Sequence, residues 1–276
     1  MSRLPHALAV LLLFAAGVTL VTGCANGATE SAVIEGRPSG VPDDAGLRIA
    51  TLNAEFLFDG LGSEGQASFP WQGDPAAARV HRDSLARVIR LLDADVLMLQ
   101  EVENREALQM LIDESLSDLG YEAHFVQGKD TFTGQDVALL SRVPVEEVGR
   151  TDERAPVGTS RQDYGVSKNM WARLSLDGVP TTLIGVHFLA RPDDLERRPR
   201  REAQAEVIRR LVEQEHAAGR AVAVLGDFND FDPDVPDRAG SAPITDVLEI
   251  VKEAGPGPED DLRSVLGEVP QEKRYT

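Results

Sequence analysis

The sequence predicts an α/β fold with mixed sheets, and three observations carry it. Short apolar runs of strand length, at residues 47–52, 95–100, 137–140 and 221–225, recur between polar breaks. Segments with apolar residues at helical spacing, 75–92 and 200–216, lie between them. Asp177-Gly178 separates two strand-like runs as a hairpin turn signal, so the sheets are not purely parallel.

The elements follow in order. Residues 47–52 form the first core strand, and 53–75, polar and Gly-rich, form a loop. Pro75 suits the first turn of a helix whose inward face is Val80, Leu85, Val88, Ile89 and Leu92. Residues 95–100 are a second strand. Asn104 caps the next helix, which buries Leu108, Leu111, Ile112 and Leu119 and ends at Gly120. Strands are expected at 121–126, 137–140 and 143–148. Met170, Ala172 and Leu174 alternate with Trp171, Arg173 and Ser175, the mark of a half-buried strand, and 182–188 returns from the hairpin. The helix at 200–216 turns Ala203, Val207, Ile208 and Leu211 inward. Strand 221–225 and short helices at 244–251 and 262–266 complete the set. Two sheets packed together with helices outside use these elements well.

The ends and the composition restrict function. Arg3 and His6 precede an apolar run at 7–21 and then Val21-Thr22-Gly23-Cys24, so residues 1–23 read as a secretory signal peptide. VTGC resembles the bacterial lipobox, which implies that Cys24 is lipidated and anchors an exported protein to a membrane of the bacterial cell envelope. Cys24 is the only cysteine, so no internal disulfide forms. Residues 24–45, rich in Gly, Ala, Ser and Pro, read as a flexible tether, and 46–276 as one domain. Net charge is −18, with only four Lys among 28 basic residues. Such a surface repels polyanions unless a cation or a local Arg cluster intervenes, which disfavours a general DNA-binding protein and remains compatible with a divalent metal.

Polar side chains terminate four of the expected strands. VAVLGDFND places Asp227 and Asn229 two residues apart, on one side of an extended chain. The pair reads either as an Asx turn closing a strand or as an acid and a neutral donor set to orient water and hold an anionic oxygen. Asn53 and Glu55 follow LRIATL, Glu101 and Glu103 follow DVLMLQ, and His187 ends TTLIGV. Each alone also reads as a turn residue, a first-turn acid or a satisfied core histidine. Together they offer hard oxygen ligands of the kind that select Mg²⁺, Mn²⁺ or Ca²⁺, with Asn53 and Glu101 as the metal residues. His187 and Asn229 would then bond a phosphoryl oxygen, and Asp227 would orient water.

Taken in order, LRIATLNAEFLFDG, DVLMLQEVEN, DVALLSR, LIGVHFLA and VAVLGDFND resemble the endonuclease/exonuclease/phosphatase superfamily, the deoxyribonuclease I-like fold. The resemblance implies a four-layered α/β sandwich with two mixed β-sheets and hydrolysis of phosphate esters with Mg²⁺ or Mn²⁺. By motif, Asn53 and Glu101 match the metal-site Asn and Glu, and His187 matches the histidine on the scissile phosphate. Asp227 and Asn229 match the pair that orients the nucleophile and stabilises the transition state. Arg201 is placed in the same implied site. The substrate is a phosphate ester, with nucleic acid among the options; no protein partner is implied, and the expected state is a monomer.

Family members end in a Ser-Asp-His motif on their last strands, and no Asp-His pair occurs in this sequence. The expectation is a domain lacking its last strand or strands, either as a fragment or as a protein that has lost part of its site. A non-catalytic surface lipoprotein that keeps the scaffold as a binding module is therefore the alternative. A third reading, a Ca²⁺ site among the alternating acids of GDFNDFDPDVPD, fits an EF-hand loop poorly, because Val235 stands where Gly is needed and Ser241 where Glu is needed.

Overall fold

The structure is a computed structural model and describes residues 46–62, 65–255, 257 and 261–274. The signal-peptide, lipidation and tether expectations fall outside the described residues. Two four-stranded mixed sheets make the body. The first has the order β1 (Ile49–Leu57), β2 (Val96–Val102), β4 (Asp136–Ser141), β3 (Glu122–Phe125). The second has the order β10 (Ala221–Asp227), β9 (Val179–His187), β8 (Lys168–Leu176), β5 (Val145–Gly149). In each sheet one edge pair is parallel, β1 with β2 and β10 with β9, and the remaining pairs are antiparallel. The crossovers of those parallel pairs contain α1 (Pro75–Leu92) and α3 (Arg198–Ala217), as parallel neighbours require. A small hairpin, β6 (Arg154–Pro156) with β7 (Asp163–Gly165), was not foreseen.

Three apolar layers separate the four layers of structure. Val96, Met98, Val137, Leu139, Met170, Leu174, Leu183 and Leu225 fill the space between the sheets. Leu97 and Leu99 of β2 point the other way, onto α1 and α2 (Arg105–Leu111). Ile184 and Val186 of β9 likewise meet α3 and α4 (Val247–Lys252). Central strands buried on both faces explain the unbroken apolar runs that the sequence shows. Gly185 sits where the sheets touch: a Cβ there would lie 2.4 Å from Met98 Sδ and 2.7 Å from Val137 Cγ1.

Local signals hold at the helix starts. Asp74 accepts from the Ala77 N–H at 3.0 Å, with Pro75 following it, and Asn104 accepts from the Ala107 N–H at 2.7 Å. Three expectations are corrected. β1 does not stop at residue 52 but continues through a register slip between Asn53 and Leu57. The inward face of α1 is Ala78, Arg82, Leu85, Ala86 and Ile89, leaving Val80 66% exposed and Val88 38% exposed. A charged residue holds the stripe because the Arg82 guanidinium is bonded to Glu114 and to the Phe58 carbonyl. The helix expected at 262–266 is one 3₁₀ turn, Val265–Glu268.

Candidate active site

The two parallel strand pairs end side by side. Asn53 of β1 lies opposite Gln100, next to Glu101 of β2, and Asp227 of β10 lies opposite His187 of β9. β1 faces β10 and β2 faces β9 across the inter-sheet layer, so each sheet delivers two of the residues. This is the carboxyl end of the strands, where open α/β sheets place their ligands.

One side chain ties the halves together. Asn53 Nδ2 donates to Glu101 Oε1 at 3.1 Å and to Asp227 Oδ2 at 3.2 Å, while Asn53 Oδ1 accepts from the Glu55 N–H at 3.0 Å. Glu101 Oε2 accepts from the Phe56 N–H and from Gln135 Nε2, both at 3.2 Å. His187 Nε2 stands 3.9 Å from both Glu101 Oε1 and Asp227 Oδ2. Among the described residues His187 Nδ1 is buried without a hydrogen-bond partner.

The electrostatics follow from burial. Burial pushes the Glu101 carboxyl above the usual Glu range and the Asp227 charge adds to it, against the bond from Asn53 and the Lys168 ammonium. Burial, with Lys168 nearby, holds the His187 imidazole well below its usual range, so it is neutral at pH 7. Lys168 pairs directly with His187 in the β8–β9 hairpin, is 7% exposed, and has its ammonium 3.5 Å from Asp130 Oδ2. Sequence reading missed Lys168, Gln135 and the main-chain donor of Phe56.

The backbone is strained here. Of eight non-glycine residues with positive φ among those described, Glu55 (48°), Phe56 (67°), Glu101 (61°) and Asn229 (51°) cluster at this site. Each costs roughly 1–2 kcal/mol. The β2–β4 ladder also slips between Gln100 and Val102, so a bulge re-aims Glu101. Asn229 does not share a side with Asp227 through strand alternation, because β10 ends at Asp227. Instead its N–H bonds to Asp227 Oδ1 at 2.9 Å in an Asx turn, and its Nδ2 donates to the Phe188 carbonyl at 3.1 Å. The turn and the polar pair are thus the same object.

Two other candidates are used elsewhere. Arg201 is fully buried and donates to the carbonyls of Arg191 and Pro192, bracing the loop after β9 rather than joining the cluster. Asp230 accepts from the Ile244 and Thr245 N–H groups, and Asp232 and Asp234 pair with Lys252 at 2.9 and 2.6 Å, so the acids of that loop serve internal donors.

A family model described as the Endonuclease/Exonuclease/phosphatase family matches residues 50–246. The chain belongs to this family. Its general activity is that of phosphoester hydrolases and nucleases. Among solved structures, a double mutant of beta toxin from Staphylococcus aureus with bound magnesium ions is similar at 16% identity, over 75% of this chain and 71% of that one, with a TM-score of 0.51. The human Nocturnin catalytic domain, with bound sulfate, is 21% identical over 68% and 66% of the two chains, with a TM-score of 0.45. A humanized TDP2 of D. rerio is 19% identical over 68% and 69%, with a TM-score of 0.41. No curated protein sequence matches the chain. The beta toxin likeness shares the four-layered fold that the sequence implied.

A buried acid behind the site gives a stability test. Burial lifts Asp136 from the ordinary Asp range to about 6, against a bond from the Gly128 backbone and the Arg150 charge. A folded value above the unfolded one favours the neutral form, so this contribution is complete below the unfolded value of about 4 and is lost as pH rises through about 6. Asp136→Asn is expected to flatten that loss, leaving the variant up to about 3 kcal/mol less penalised at pH 7. Parallel curves of Tm against pH from 4 to 7 in EDTA would contradict it.

Proposed function

We propose that the chain is a Mg²⁺- or Mn²⁺-dependent phosphoric ester hydrolase in which Asn53 and Glu101 hold the cation and His187, Asp227 and Asn229 act on the ester. The observation that carries this reading is the Asn53 amide shared between two carboxylates, with a neutral His187 3.9 Å from each. The donor set fits: Glu101 and Asn53 Oδ1 are hard oxygens, and Mg²⁺ takes one or two protein carboxylates and fills the rest of its shell with water and phosphate. A buried Glu101 whose ionisation is disfavoured gains from a nearby cation, and strain at Glu55, Phe56, Glu101 and Asn229 is the kind a functional site retains. The beta toxin structure with bound magnesium is in keeping with that ion.

When bound, the cation neutralises charge on the phosphoryl oxygens. The rest falls to the chain's own groups. Asp227 Oδ2 orients the attacking water and receives its proton as the water oxygen bonds to phosphorus and the phosphorus–ester oxygen bond breaks. The leaving oxygen departs with that electron pair and takes its proton from solvent where it needs one. His187, being neutral, donates one hydrogen bond to a non-bridging oxygen without placing a second full charge in the site. Asn229 has a second N–H beyond the one given to Phe188 and offers it to the same group. The Lys168 ammonium adds positive potential beside His187. The same proposal places the enzyme on a membrane of the cell envelope through lipidated Cys24, on the strength of VTGC after the apolar run.

The test is hydrolysis of bis-p-nitrophenyl phosphate by the full chain. Turnover is expected with Mg²⁺ or Mn²⁺, background rates in excess EDTA, and recovery when Mg²⁺ is restored. Equal turnover in EDTA would sink the proposal.

A further inference from the structure

The segment between β1 and α1 grips the strained bulge beside the site. Trp71 donates its indole Nε1–H to the Phe56 carbonyl at 2.7 Å, and its ring stacks on His81 of α1 with centroids 4.3 Å apart and planes at 20°. His81 Nε2 is in turn 2.7 Å from the Ala54 carbonyl. Phe69 packs on the Phe56 ring at 4.8 Å. The carbonyls at both ends of residues 54–56 are therefore held by one stacked aromatic pair, in a chain with only two Trp and five His.

What is held there faces the site through its main chain. Glu55 and Phe56 are both left-handed, a form that bulky residues leave unless surrounding bonds enforce it. In that form the Glu55 N–H bonds Asn53 Oδ1 and the Phe56 N–H bonds Glu101 Oε2. Relaxation of the bulge toward extended strand would turn both N–H groups away and remove one bond from each of the two side chains at once.

We propose that Trp71 and His81 are positioning residues for the Asn53–Glu101 pair, setting its geometry for a divalent cation through the main chain of residues 54–56. Neither side chain has a bond to Asn53 or Glu101 among the described residues; the coupling runs through the Phe56 and Ala54 carbonyls. The inference rests on the metal-dependent reading of the site.

The experiment measures Mn²⁺ binding to the full chain by loss of the free-ion electron paramagnetic resonance signal. Trp71→Phe keeps a ring over His81 and removes the indole donor. Its Mn²⁺ dissociation constant is expected to rise about three- to tenfold, the equivalent of one lost hydrogen bond. KM for bis-p-nitrophenyl phosphate at saturating Mn²⁺ is expected to stay within about twofold, since the ester-binding groups are untouched. His81→Phe, which keeps the stack and loses the bond to Ala54, is expected to move the same constant in the same direction and carries the test should Trp71→Phe fold poorly. Wild-type Mn²⁺ affinity in both variants would overturn the positioning role alone. Absence of Mn²⁺ binding in the wild type would overturn the metal reading and this inference with it.

Discussion

Asp227→Ala is expected to lower kcat by about 10²- to 10⁴-fold with little change in KM, the range for losing a positioned general base. Its carboxylate has two bonds in the structure, one from Asn53 Nδ2 and one from the Asn229 N–H. Removing it costs modest stability, about 1–2 kcal/mol, so the circular dichroism spectrum stays native. Asp227→Asn separates chemistry from geometry: the amide oxygen still closes the Asx turn, yet it takes a proton poorly. Loss of rate in Asn as complete as in Ala supports proton acceptance, whereas recovery in Asn would assign Asp227 to the turn alone.

Glu101→Gln comes second, and its effect is read on the cation. The half-saturating Mg²⁺ concentration is expected to rise at least about tenfold, because one charged oxygen ligand is lost while the neighbouring donors remain. The pH dependence has a definite sign. Burial raises the folded-state value of Glu101, so without metal the fold favours the neutral acid, and its contribution to stability is lost as pH rises through that value. Cation and proton compete for the same oxygens. Metal activation of the wild type should therefore strengthen as pH rises from the usual Glu range upward, and the Gln variant should lack that slope. The same slope in both proteins would remove Glu101 from the ligand set.

Much of this was legible in the sequence because the informative pattern is short-range. The apolar runs of β2, β4 and β10 read as buried strands, and α1 lies at the predicted residues 75–92. The ordered motifs brought Asn53, Glu101, His187 and Asp227 into one expected site, and the structure gathers these four. What failed depended on long-range partners. Arg82 occupies a core stripe because Glu114 and Phe58 meet it there, which no helical periodicity reports. Asn229 and Glu101 are aimed by left-handed backbone, which alternation rules cannot see. Lys168 was recoverable: a two-residue turn at Asp177-Gly178 pairs Leu176 with Val179, and counting outward sets residue 168 against His187.

The contact between Gly185 and Met98 has a mechanical meaning. Asn53 and Glu101 ride on one sheet, His187 and Asp227 on the other, and the inter-sheet layer, with the Asn53–Asp227 bond across it, fixes how far apart the two pairs stand. A glycine against a thioether makes that layer thin at its centre. The hydrocarbon between the sheets is thus a shim, and its thickness sets the aperture in which an ester would be cut. Substitutions there would detune the reaction as a spacer detunes a gauge, before the fold itself gave way.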